Sequence, residues 1–160
     1  MNQIIKDSHD QLNDLYNQDF YQWVQTTIHN IRNRDLKSLD WENLLEELEG
    51  LGNEQKHKLE SRLSVLLEHL LKLTYWYQER NYNSRGWQGT IIEQRKQIKR
   101  LLKRNPSLQA FFLEIFAETY QDARDITIVK TGLDPEIFPL ESIMTPEQAL
   151  DENWLPEEIQ

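Results

Sequence analysis

Along most of the chain, large apolar residues recur every three or four positions, with short polar interruptions between the runs. That period is the mark of amphipathic helices. The first stripe, Phe20, Trp23, Val24, Ile28 and Ile31, predicts a helix over about 18–35, with Asn17 or Asp19 as its N-cap. Asp40 is suited to cap the next helix, whose inner face is expected to carry Leu44, Leu45, Leu48 and Leu51. Gly50 and Gly52 predict a kink or short break there, because glycine weakens a helix interior. The stripe then resumes through Leu59, Leu63, Leu66, Leu67, Leu70, Leu71 and Leu73, to about Tyr77. From Val65 onward this segment is apolar over most of its circumference, as the central helix of a bundle must be.

Residues 78–86 are polar and rich in turn formers, which predicts a loop. A helix from about Trp87 to Arg104 follows, and Asn105-Pro106-Ser107 ends it and opens the next. That last long helix carries Leu108, Phe111, Phe112, Ile115, Phe116, Thr119, Ala123 and Ile126, with Gly132 as its terminator. Thr145-Pro146-Glu147-Gln148 reads as a capping box that opens a short helix. Phe138, Leu140, Ile143, Trp154 and Leu155 are placed to staple the tail down. The predicted fold is a single all-α domain: a helical bundle of four or five main helices over 17–132. It is preceded by a polar arm (1–16) and followed by a mostly irregular acidic tail (133–160).

Composition narrows the function classes. The chain has 160 residues, enough for one sizeable core, and no cysteine, which excludes disulfides, thiolate chemistry and cysteine-bound metals. No run approaches the roughly eighteen apolar residues of a membrane span, and the N-terminus lacks a signal-peptide core. A cytoplasmic protein is the default expectation. The net charge of −9 argues against nucleic acid as a partner of the molecule as a whole. The count of aromatics, five Trp, six Tyr and five Phe, is more than one core need absorb, which points to a homodimer.

The candidate chemistry centres on Arg95. Ile91, Ile92, Ile98 and Leu102 surround it at helical spacing, so it sits on an apolar face and needs an acceptor. Glu47, between Leu44 and Leu51, is the first expected partner, and Asp122 the second. His69, among Val65, Leu66, Leu73 and Trp76, can join them. Glu47, His69 and Arg95 are therefore the candidate catalytic group, set against a purely structural network. Glu54-x-x-His57 is half of a di-iron motif without its second half, so neither metal nor cofactor is predicted. His9 and His29 have no partner spacing, and His29 should be exposed. Lys96, Lys99, Arg100, Lys103 and Arg104 form one basic helix face, and with Trp87 they are the candidate binding residues. The reading favoured over binding is a solvated face covered by the chain's own acidic tail, since the net acidic charge opposes a polyanion at long range.

With these residues in place, the chain resembles the bacterial, largely cyanobacterial, family of unknown function numbered 29. The resemblance rests on Asp19-Phe20-Tyr21-Gln22-Trp23, on Asp40 with Glu46-Glu47, and on His69-Leu70-Leu71-Lys72. It continues through Trp87-x-x-Thr90-Ile91 with Gln94-Arg95, Asn105-Pro106-Ser107-Leu108, Thr131-Gly132-Leu133 and Phe138-Pro139. Gly86 stands where the family commonly has Ser before the Trp. The resemblance implies an all-α bacterial protein and supplies no activity. Without a catalytic motif, phosphate loop or complete metal set, an interaction or regulatory module is expected ahead of an enzyme. The alternatives are a hydrolase or metal-dependent enzyme built on the Glu47/His69/Arg95 centre, and nucleic-acid binding through the 95–104 helix.

Overall fold

The computed structural model describes residues 12–157. They form α1 (12–18), α2 (Phe20–Arg32), α3 (Trp41–Tyr75), α4 (Tyr77–Arg104), α5 (Leu108–Thr131) and α6 (Pro146–Leu150), with two short 3-10 turns. The fold is all-α, and no strand occurs among the described residues. His9 and most of the predicted arm lie outside them. The chain divides into two compact units, residues up to Asn53 and residues from Glu54 onward, so α3 contributes its first part to one and the rest to the other.

The N-terminal unit is organised by Asp40, which is completely buried. A carboxylate can stay there because donors surround it. Trp23 Nε1 donates to Oδ2 at 3.2 Å, Asn43 Nδ2 to Oδ2 at 2.6 Å, and the Asn43 backbone N–H to Oδ1 at 3.3 Å. The last bond is an N-cap, so one side chain both starts α3 and pins Trp23 of α2. Asp19 caps α2 by accepting from the Gln22 N–H at 3.0 Å. Trp23 also packs on Tyr16 and Phe20, with ring centroids 5.0 and 5.6 Å away. Phe20 and Ile31, predicted for the inner stripe of α2, are about half exposed.

The core of the C-terminal unit is the leucine run of α3. Leu59, Leu63, Leu66, Leu67, Leu70, Leu71 and Leu73 are sealed from solvent, each worth about 2 kcal/mol by burial. Trp87, Ile91, Ile98 and Leu102 of α4 meet them, as do Phe112, Phe116, Tyr120 and Ala123 of α5. Gly132 ends α5 with φ of +67°, the left-handed conformation a side chain resists. The tail is mostly irregular but firmly tied. Phe138, Met144 and Ala149 enter the core, and Thr145 and Gln148 form the complete capping box of α6. Arg124 donates to the carbonyls of Phe138 and Pro135, each at 2.9 Å, and Tyr120 to that of Pro139 at 3.0 Å. Leu140 and Leu155, two of the expected staples, stay exposed.

Three local predictions are overturned. α3 runs unbroken through Gly50 and Gly52, because the Leu, Glu, Gln and Lys residues on both sides favour helix strongly enough to offset two glycines. Residues 78–86 are helical and belong to α4, not to a loop. There, local propensity loses to tertiary contacts. Arg80, buried, donates to the carbonyls of Leu73 and Thr74 at 3.0 and 2.7 Å, which closes the end of α3. Trp87 stacks on Trp76 at 5.6 Å and holds the same corner. The third concerns Leu45, Leu48 and Leu51, expected inside, which face solvent at 55, 56 and 58% exposure.

Candidate functional site

The first part of α3 is exposed over most of its circumference, and its apolar residues are among those left uncovered. Trp41, Leu44, Leu45, Leu48 and Leu51 follow i, i+3, i+4, i+7 and i+10 and therefore share one face. Asn43, on the opposite side, is the buried one, held by Asp40. Leu44 is half-buried and Trp41 is 48% exposed, so four of these five large side chains have about half of their surface in water. Trp41 is fixed in place by the bond from its Nε1 to the Leu36 carbonyl at 3.1 Å. Glu42 and Glu49 border the stripe on one side and Glu47 on the other, with Glu46 beyond them. No Lys or Arg occurs between Leu39 and Gln55. The result is an outward apolar stripe with acidic borders. Sequence reasoning found the stripe but assigned it to the interior, because periodicity shows which residues share a face and not what covers them.

The residues of the predicted catalytic group each carry a partner of their own. Glu47 accepts a hydrogen bond from the Tyr16 hydroxyl at 2.7 Å, which pushes the phenol pKa up to about 12. His69 is half-buried, with Nδ1 2.8 Å from the Val65 carbonyl, and burial lowers its pKa below the ordinary value. Arg95 is buried, as expected, but its hydrogen bonds do not go to Glu47 or Asp122. Nε donates to the Ala149 carbonyl at 2.8 Å and Nη2 to that of Gln148 at 3.4 Å. These carbonyls lie at the end of the short helix α6, where helix carbonyls carry partial negative charge, and Gln148 shares its carbonyl with the Asp151 N–H at 3.2 Å. They do the work expected of a carboxylate. Burial pulls the Arg95 pKa down, and the nearby charges of Asp151 and Glu152 oppose that.

A buried ionic centre that was not predicted is built on Glu68, the neighbour of His69 in the chain. Glu68, almost fully buried, accepts from Lys72 Nζ at 2.5 Å and from Lys130 Nζ at 2.8 and 3.0 Å. Burial raises its pKa, but the two ammonium donors outweigh that and hold the carboxyl below the ordinary range. The sequence signal was a Glu/Lys pair at i, i+4 within an otherwise apolar circumference.

Asp122 is exposed, and with His57, Glu60, Ser61, Ser64 and Asp125 it lines an open groove of about 610 Å³ between α3 and α5. His57 Nδ1 is 4.0 Å from Glu60, while Glu54 is taken by Lys58 at 2.6 Å. Among the described residues, no group of three His, Asp or Glu side chains is placed to hold a metal ion. Of the predicted binding residues, Trp87 is buried against Trp76 and Lys99 is paired with Glu152 at 3.0 Å. Lys96, Arg100, Lys103 and Arg104 are exposed.

The family model for the domain of unknown function DUF29 matches residues 15–155, which takes in α2 to α6 and most of α1. The chain belongs to the DUF29 family. No curated protein and no solved structure matches it. For this DUF29 chain, then, membership fixes kinship without assigning a reaction. No described helix is long and apolar enough to cross a membrane.

Proposed function

We propose that this protein is an interaction module that captures an amphipathic helix of a partner protein on the outward face of α3 between Trp41 and Leu51. The exposed stripe carries the reading: four large apolar side chains on one rigid helix face, held in water. Burying their exposed halves contributes about 1 kcal/mol each, or about 4 kcal/mol together, before the cost of association. The stripe alone therefore supports only a transient complex, and charge must supply the remainder. Glu42, Glu47 and Glu49 on its borders select Lys and Arg on the partner. In a pair of identical chains the same acidic borders would face each other. This favours a basic partner helix over the homodimer that the aromatic count suggested.

The test uses two synthetic amphipathic peptides with one common apolar stripe, flanked by Lys in one and by Glu in the other, titrated calorimetrically into the full chain. The Lys-flanked peptide is expected to bind, to weaken with added salt and to lose affinity for Leu48→Glu. Absence of binding by the Lys-flanked peptide contradicts the proposal, as does equal binding of the Glu-flanked one. A dimer seen by light scattering and dissolved by Leu48→Glu would put a second copy in the partner's place.

A further inference from the structure

A second surface, independent of the α3 stripe, lies wholly in the C-terminal unit. Lys58 and Arg62, one turn apart on α3, face Arg100 and Arg104, one turn apart on α4. Together with the amides of Gln55 and Gln97 they line a groove of about 180 Å³. No carboxylate lines it. Lys58 is partly neutralised by Glu54 at 2.6 Å, and Arg62 donates to the Gln94 side-chain oxygen at 3.4 Å. The side chains of Arg100 and Arg104 make no hydrogen bond or ion pair among the described residues. Nor are they needed to close the end of α4. Asn105 does that, bonding the Leu101 carbonyl through its backbone N–H at 2.9 Å and through Nδ2 at 3.0 Å.

Three guanidinium groups without a carboxylate partner converge on this groove beside an ammonium paired with Glu54, and like charges so placed repel one another. In a chain with 27 acidic residues against 18 basic ones, carboxylates to relieve that repulsion are plentiful, yet none lines this groove. A bound anion would supply the missing charge. Three guanidinium forks suit phosphate oxygens, which they grip two at a time, while an ammonium acts as a point charge and the two amides can orient the ligand. The groove is short, and the net charge of the molecule repels a long polyanion. We infer that the α3–α4 groove of Lys58, Arg62, Arg100 and Arg104 binds a small phosphorylated ligand, through a terminal phosphate or diphosphate group.

Inorganic pyrophosphate titrated calorimetrically into the full chain tests this. Saturable binding at one site is expected, weakened by salt. Arg62→Gln and Arg100→Gln should each reduce affinity about tenfold or more, the effect of losing one charge-assisted contact. Arg100→Lys, which keeps the charge and loses the fork, should fall between. Lys103→Gln, on the same helix but outside the groove, should leave affinity unchanged. Circular dichroism on each variant separates loss of the site from loss of the fold. The inference is overturned if pyrophosphate gives no saturable binding, or if Lys103→Gln weakens it as much as Arg100→Gln. It is overturned equally if single-stranded oligonucleotides bind more tightly than pyrophosphate, with affinity that grows with length, since the basic face would then be a nucleic-acid surface.

Discussion

Arg95 Nε lies 2.8 Å from the carbonyl oxygen of Ala149, fifty-four positions further along the chain. The bond ties the centre of α4 to the end of α6 and so fixes the tail through a backbone group. Removing the guanidinium leaves the Ala149 carbonyl buried without its donor and opens a void among Ile91, Ile98 and Leu102. Arg95→Ala should therefore cost about 3 kcal/mol, read as a shifted midpoint in urea unfolding. Lys99→Ala, which removes an exposed pair with Glu152, should leave the midpoint nearly unmoved.

Acid should weaken the protein in two stages. His69 has a lowered pKa, chiefly from burial, so the unfolded chain takes up its proton first. Stability then declines as pH falls from about 6.5 toward the lower folded value. Glu68 is also held low, because Lys130 and Lys72 outweigh its burial. Its contribution is complete above the unfolded value of 4.5 and is lost as pH falls through the folded value. Urea unfolding at a series of pH values should show both declines in the native chain. Glu68→Gln should abolish the second and cost about 2 kcal/mol at neutral pH, a figure discounted for the half-exposed Lys130.

Gly50 and Gly52 stand inside a continuous helix, where an added Cβ meets nothing within 4 Å. Replacing either with Ala should raise stability by about 0.5–1 kcal/mol, because alanine loses less backbone freedom on folding. Gly132→Ala should have the opposite sign, since φ of +67° strains any side chain. Thermal unfolding of the three variants measures all of this.

These cases show what was legible in the sequence. The leucine run of α3 could be read because period and near-total apolarity agree there. The Thr145 capping box and the Gly132 terminator could be read because each is a local arrangement of a few residues. The side on which Trp41, Leu45, Leu48 and Leu51 lie could not. Their period defines a face, and the cover for that face is a tertiary fact. The helicity of 78–86 was hidden because it depends on Arg80 reaching the end of α3 and on Trp87 stacking on Trp76. The burial of Arg95 was legible from its neighbours. Its partner was not, since a backbone carbonyl on a distant short helix has no residue signature. Lys72 could have been paired with Glu68 from spacing alone, but Lys130, sixty-two positions away, could not.

The Trp23 indole donates to Asp40 from α2, and that bond helps keep a carboxylate buried. Trp23→Phe retains the ring packing on Tyr16 and Phe20 but removes the donor. The loss should be about 1–2 kcal/mol, confined to the N-terminal unit. Hydrogen exchange should show faster opening of α2 and of the first turn of α3, with the leucine run unaffected.

The most direct measurement of the central claim is amide chemical-shift mapping of the labelled full chain during titration with the Lys-flanked amphipathic peptide. Saturable shifts are expected, concentrated on Trp41, Leu45, Leu48, Leu51 and the bordering Glu42, Glu47 and Glu49, and absent in Leu48→Glu. Shifts that leave this stretch untouched, or that persist unchanged in Leu48→Glu, would contradict the claim.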